Sequence, residues 1–177
     1  MRLLVGLGNP GKKYEKTRHN IGAETLSEFA NESGVGLEEK KFSSLFGKGK
    51  AEGTDLLLLL PQTFMNRSGE AVKAVLDYYR VPAEEVLVIH DDIDLDLGRL
   101  KLDFDAGAAG HRGVLSVIEM TGTQVFHRLR MGIGRPLMRD EVENYVLSPF
   151  STEEEEKVQA MRKMSVKMIK QWIRGEN

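Results

Sequence analysis

The chain predicts an α/β fold: a mixed, mostly parallel sheet with helices on both faces. Two observations carry this reading. Short unbroken apolar runs, Leu3-Leu4-Val5, Leu56–Leu60 and Val86–Ile89, have the length and character of strands buried on both sides. Stretches with apolar residues at three- and four-residue spacing lie between them, so strand and helix patterns alternate along the chain. At 177 residues there is room for one domain with a sizeable core, and no linker or internal repeat divides 1–177.

The elements follow in order. The first strand covers 2–8 and runs into Gly6-Leu7-Gly8-Asn9-Pro10-Gly11, a glycine-rich turn. A helix over 20–33 follows, with Asn20 where an N-cap belongs. Strands at 44–51 and 55–60 come next, the second stopped by Pro61. The helix over 67–80 has Asn66 at its cap position and Pro82 beyond its end. A strand at 86–90 passes into the acidic stretch His90-Asp91-Asp92-Ile93-Asp94, and another strand is expected at 98–104. A small-residue loop, Gly107-Ala108-Ala109-Gly110, opens a helix over 111–121, and 126–132 reads as a strand. The last helix, 152–174, carries Val158, Met161, Met164, Val166, Met168, Ile169 and Trp172 at mixed three- and four-residue spacings, read as core packing, while Glu153–Glu156 complement the dipole of its first turn.

Composition excludes several classes. The chain is 41% hydrophobic and 29% charged, with no low-complexity tract. No apolar run approaches the roughly 20 residues that span a bilayer. The N-terminus opens directly into a strand rather than a signal peptide, so a cytoplasmic location is expected. With no cysteine there is neither a disulfide framework nor thiolate chemistry. The net charge is −2, but its distribution is uneven. Between Arg99 and Arg139 seven cations face three acids, a local +4, and Lys12, Lys13, Lys16 and Arg18 form a second group. Such segments beside a site suit a polyanionic substrate.

Four segments carry candidate chemistry, each just beyond a strand or at a helix start, where open α/β sheets place their sites. The first holds Asn9 and His19, an amide and an imidazole. The second, Thr63-Phe64-Met65-Asn66, supplies another amide. The third supplies Asp91, a carboxylate able to accept the imidazole N–H and fix its tautomer. The fourth is Gly110-His111-Arg112-Gly113, where His111 reads as a cap or surface residue. Together they suit a histidine base that activates water against an acyl centre, with neutral amides on the oxyanion. Three rivals stand beside this. Gly6-x-Gly8-x-x-Gly11 spells the dinucleotide fingerprint, but its last glycine does not open a helix and no ribose-binding acid ends the next strand. The aspartates with His90 offer metal ligands without a calcium-loop or zinc spacing. A non-catalytic RNA-binding protein would use the cationic segments alone.

Six motifs in order, Val5-Gly-Leu-Gly-Asn-Pro-Gly11, Thr17-Arg-His-Asn20, Thr63-Phe-Met-Asn-x-Ser-Gly69, His90-Asp-Asp-Ile-Asp94, Gly110-His-x-Gly113 and Phe126-x-Arg-Leu-Arg-x-Gly-Ile-Gly134, resemble the bacterial peptidyl-tRNA hydrolase family over essentially the whole chain. The resemblance implies hydrolysis of the ester between a peptide and the terminal ribose of tRNA. It implies His19 as base, Asp91 as its orienting partner, Asn9 and Asn66 as active-site amides, and Met65 in the pocket wall. Tyr14 would stack on a terminal base. A twisted mixed sheet, a cytoplasmic monomer, a tRNA partner and no metal or cofactor are likewise implied, with no membrane association.

Two departures from the family pattern bear on substrate. Arg112 stands where the family often has asparagine, replacing an amide by a charged donor. Of the lysine–arginine pair expected to hold the tRNA 5′-phosphate, Arg130 matches, whereas Asp103 falls at the lysine, leaving Lys101 and Arg99 as nearby candidates.

Overall fold

The computed structural model describes residues 1–176. Seven strands, β1 (Arg2–Gly6), β2 (Glu39–Lys41), β3 (Ser44–Ala51), β4 (Thr54–Pro61), β5 (Val86–Asp92), β6 (Leu100–Phe104) and β7 (His127–Gly132), form one sheet in the order β2-β3-β4-β1-β5-β7-β6. The four central strands run parallel, β4 with β1, β1 with β5 and β5 with β7. Both edges are antiparallel, β2–β3–β4 on one side and β6 on the other. The predicted fold class holds, and the unbroken leucine runs explain why. Leu3, Leu4, Leu56, Leu57, Leu58 and Leu59 are fully buried because each lies in an inner strand covered on both faces. Each such buried aliphatic side chain contributes roughly 1.5–3 kcal/mol relative to leaving it in water.

One face is covered by α1 (Ile21–Ser33) and α5 (Glu155–Ile173), the other by α2 (Ser68–Tyr79) and α3 (Arg112–Thr121). The first layer seats Phe29, Trp172 and Ile169 on Leu4, Leu58 and Ile89; the second seats Val72, Val75 and Val117 on Leu3, Leu57 and Val88. A short helix, α4 (Val142–Val146), packs Tyr145 and Val146 at the margin of the first layer. Helix α1 lies very close to β5, since a Cβ on Gly22 would fall 2.1 Å from the carbonyl oxygen of Ile89. Only glycine permits that approach, and it brings the turn before α1 over the end of β5.

Several sequence expectations need correction. Helix α5 begins at Glu155 rather than 152, because residues 151–155 form tight i→i−3 turns (Glu154 N–H to the Ser151 carbonyl, 3.1 Å; Glu155 N–H to the Thr152 carbonyl, 3.4 Å), and the carboxylate of Glu154, at the cap position, holds Arg18. Neither Asn20 nor Asn66 caps a helix with its side chain: α1 starts at Ile21 with Asn20's amide turned to Asn9, and α2 starts at Ser68, beyond a short 3-10 turn. Strand β2 and helix α4 lay outside the predicted elements. The β2–β3 turn is made by Phe42 and Ser43, both at positive φ (55° and 50°). Phe42 offsets that strain by packing edge-on against Phe46, Tyr78 and Tyr79 at ring separations of 5.4–6.1 Å.

Candidate active site

The parallel strands all end on one edge of the sheet, and the segments leaving β1, β4 and β5 enclose a cleft of about 630 Å³ there. Asn9, His19, Phe64, Met65, Asn66, Asp91, His111 and Arg112 line it, with α4 forming the opposite wall. At its floor lies Asp91, 2% exposed. Its carboxylate accepts the Nδ1–H of His19 at 2.8 and 2.9 Å and the Nε2–H of His111 at 2.8 Å. Burial alone would push the Asp91 carboxyl up, but the two imidazoles hold it far below the ordinary carboxylate range. It is therefore a fixed anion.

The hydrogen-bond network assigns the tautomers. Asp91 can only accept, so His19 carries its hydrogen on Nδ1 and keeps the Nε2 lone pair, which has no partner among the described residues. His111 is fixed from the other side: its Nδ1 accepts the backbone N–H of Gly113 and Val114 at 3.1 and 3.2 Å, capping α3. Its Nε2 must then carry the hydrogen that Asp91 receives. The third histidine of the group, His90, is buried and stays neutral, its pKa driven well down by burial and by neighbouring His111. Its Nδ1–H donates to the Asp91 carbonyl at 2.7 Å. His90 thus braces the backbone beneath Asp91 and does not line the cleft.

The two amides differ in how firmly they are held. Asn9 Oδ1 accepts the Met65 N–H at 2.7 Å, which leaves the Asn9 NH₂ as a free donor. The backbone of Asn9 is in turn gripped on both sides by the Asn20 side chain, N–H to Oδ1 at 2.8 Å and Nδ2 to the carbonyl at 2.9 Å. The Asn9–Met65 bond joins the segments after β1 and β4, and the grip of Asn20 on Asn9 was missed by reading Asn20 as a helix cap. Asn66 is exposed on the cleft wall, while Met65 is buried beneath it. A Cβ on Gly113 would lie 2.4 Å from Met65 Sδ, so a side chain there would displace the Met65 thioether from its place against α3. Tyr14 packs edge-on against Phe64, which is 59% exposed at the cleft mouth (ring centroids 6.5 Å apart).

Two of the rival readings find little support in this geometry. Gly11 ends at φ 98° in open space and is followed by a 3-10 turn, so no helix N-terminus faces it and α1 begins ten residues later, at Ile21. His19, Asp91 and His111 do offer three ligand atoms within 4.8 Å of one another. A metal at His111 Nε2 would, however, need the lone pair that the capping bonds oblige to be an N–H.

A family model described as peptidyl-tRNA hydrolase matches residues 3–177. The chain belongs to that family. A peptidyl-tRNA hydrolase of Bacillus thuringiensis subsp. konkukian (strain 97-27) is 43% identical over 173 residues, covering 98% of this chain and 93% of the relative. One from Exiguobacterium sibiricum is 44% identical over 173 residues, covering 98% and 94%. The crystal structure of peptidyl-tRNA hydrolase from Acinetobacter baumannii superposes with a TM-score of 0.95 at 35% identity, covering 99% of this chain and 90% of that one.

Within this family member the cations are distributed differently from what their number suggests. Arg128 is buried and donates to the Gly107 carbonyl at 2.6 Å, tying the small-residue loop to the sheet. Arg130 is taken by two carboxylates, Asp92 at 2.7 Å and Asp103 at 2.6 Å, and Lys101 approaches Asp103 at 3.3 Å. Burial opposes the Arg130 charge, but the paired carboxylates raise its pKa above the ordinary guanidinium value. Arg135 pairs with Asp94. Arg99, Arg112 and Arg139 are exposed, and Arg112 and Arg139 line the cleft. No helix of the described residues is long and apolar enough to cross a membrane.

Proposed function

We propose that this enzyme cleaves the ester joining a peptide to the terminal ribose of tRNA, with His19 as general base. One observation supports this above others: buried, ionised Asp91 takes the Nδ1–H of His19 at 2.8 Å and leaves Nε2 as the basic nitrogen in the cleft. Nε2 removes a proton from water as the oxygen attacks the ester carbonyl carbon. The carbonyl π electrons move onto oxygen, where the NH₂ groups of Asn9 and Asn66 donate to the oxyanion. Collapse breaks the bond to the ribose oxygen, which recovers the proton from the imidazolium. Asp91 remains a carboxylate throughout and steadies the charged ring. Proton transfer of this kind contributes about 10²–10⁴ in rate.

The tRNA end of the substrate meets exposed cations at the cleft, Arg112 and Arg139, and the ring of Phe64 with Tyr14 behind it. Arg112 supplies charged donors where the family often has an amide. Lys101 is the freer cation of the Arg130 cluster, being 55% exposed. Residues 1–177 act as one catalytic domain, monomeric and cytoplasmic, without metal or cofactor.

The test is release of an N-blocked aminoacyl group from tRNA by the purified chain and by His19→Ala, with chelator present. Turnover by the parent and at least about a hundredfold loss in the variant is the expected outcome. Binding of tRNA by the parent without cleavage would replace this reading by the RNA-binding one.

A further inference from the structure

The turn that carries His19 is anchored from outside the cleft. Residues Arg18–Asn20 form a 3-10 turn, and the side chain of Arg18 leads away from the cleft into the segment that follows α4. Arg18 is 8% exposed, and its guanidinium grips Glu154 through two parallel bonds of 2.9 Å. Its Nε reaches Ser148 Oγ at 3.3 Å and its backbone N–H donates to the Ser148 carbonyl at 3.0 Å. The charged plane lies over the rings of Tyr145, at 4.3 Å, and Phe150, at 5.0 Å. Thr17 forms an antiparallel bridge with Pro149, and Glu154 also accepts the Ser151 N–H at 2.9 Å.

Tyr145 belongs to α4, whose Val142, Glu143 and Val146 line the cleft across from His19. One guanidinium thus joins the turn holding the base to the wall it faces. Removing water from a bidentate ion pair is repaid only when the geometry is well met, which makes such a pair a precise spacer. We infer that Arg18, held by Glu154, is a positioning residue that sets the distance between His19 and the α4 wall of the cleft. Glu154 does not line the cleft, and besides Arg18 its carboxylate holds only the Ser151 N–H, so it has no direct reach to the reacting groups.

This inference rests on His19 being the base, and the experiment separates the two. Glu154→Gln keeps the shape of the side chain and removes the charge that fixes the fork; Arg18→Lys keeps the charge and removes the fork. kcat and KM for the N-blocked aminoacyl-tRNA are measured for both, beside the melting temperature and the NMR resonance of the His19 Nδ1 proton. Lys170→Gln, which breaks the 2.9 Å α5–α1 pair with Glu32, is the control.

The expected result is a fall in kcat of about tenfold in Glu154→Gln, with KM changed less than twofold and the Nδ1 proton shifted, while Lys170→Gln matches the parent. Arg18→Lys should fall between them. Parental kcat in folded Glu154→Gln and Arg18→Lys overturns the inference, as does a loss confined to KM or one that follows the unfolded fraction. If Glu154→Gln does not fold at the assay temperature, Arg18→Lys decides by the same criteria. Full activity in His19→Ala would remove the base itself, and with it both readings.

Discussion

His111 gives its Nε2–H to Asp91 at 2.8 Å while its Nδ1 takes two backbone amides at the start of α3. One ring thereby does two jobs, fixing the carboxylate that orients His19 and capping a helix. The jobs are separable. His111→Asn should keep the cap, since asparagine accepts from the same amides, and should lose the bond to Asp91. His111→Ala loses both. We expect kcat to drop about tenfold in each, while only the alanine variant loses about 1 kcal/mol of stability through the missing cap. Equal stability of the two variants, measured by denaturant unfolding, would show that the cap contributes nothing.

Asp91 makes the stability of the fold depend on acid. Burial raises its pKa, but His19 and His111 outweigh burial and depress it well below the carboxylate range. A depressed folded pKa contributes stability that is fully present above the unfolded value, near 4, and drains away as pH falls toward the folded one. Between about pH 4 and pH 2 the parent should therefore lose stability faster than Asp91→Asn, by about 1 kcal/mol per pH unit. Melting curves of both proteins over that window check the slope. Parallel curves would mean that Asp91 is not held as an anion.

The strands and most helices were legible because their signals are local. A parallel strand covered on both faces reads as an unbroken apolar run, and Leu56–Leu60 is one. His19, Asp91, Asn9 and Asn66 were found because each stands at or just beyond the end of a strand or in a marked turn, and all four meet at one cleft. What escaped was set by tertiary contact. Strand β2 lacks the Asn-Gly or Gly signal of a tight hairpin; its Phe42-Ser43 turn is held by aromatic packing from α2. The acidic run Glu153–Glu156 read as the first turn of one helix, yet Glu154 stands at its cap and pairs with Arg18, 136 residues away in sequence. The local +4 between Arg99 and Arg139 overstated the basic surface, because pairing with Asp92, Asp94 and Asp103 depends on strand register.

Asn20 shows the same override at the scale of one amide. Its side chain satisfies both the N–H and the carbonyl of Asn9, whose own oxygen holds Met65 N–H. Asn20→Ala leaves two backbone groups beside the cleft without their partners. A loss of about 2 kcal/mol is expected, together with a fall in kcat as the Asn9 amide loses its aim. Asn20→Asp is the sharper probe: it keeps the acceptor for Asn9 N–H but sets a carboxylate oxygen against the Asn9 carbonyl. Crystal structures and turnover of the two variants should place Asp below Ala in activity, and the reverse order would show that the carbonyl contact is dispensable.

Asp103 restrains the cation most suited to a phosphate. Arg130 spends its Nε on Asp92 and its Nη1 on Asp103, so a phosphate must compete with two carboxylates already in place. Asp103→Asn removes one negative charge and frees one arm of the fork, and it also releases Lys101 from its 3.3 Å contact. A freed cation that takes up a phosphate releases counterions, which raises the salt dependence of tRNA binding by about 0.7–0.9 in the slope of log K against log salt. We therefore expect Asp103→Asn to bind tRNA several-fold more tightly at low salt and to lose that advantage as salt rises. Because the freed arm belongs to Arg130, Arg130→Gln in the same background should return the slope to the parent's. If Asp103→Asn binds like the parent at every salt concentration, the ion pair does not control access to phosphate, and tRNA is held by Arg112, Arg139 and the lysines instead.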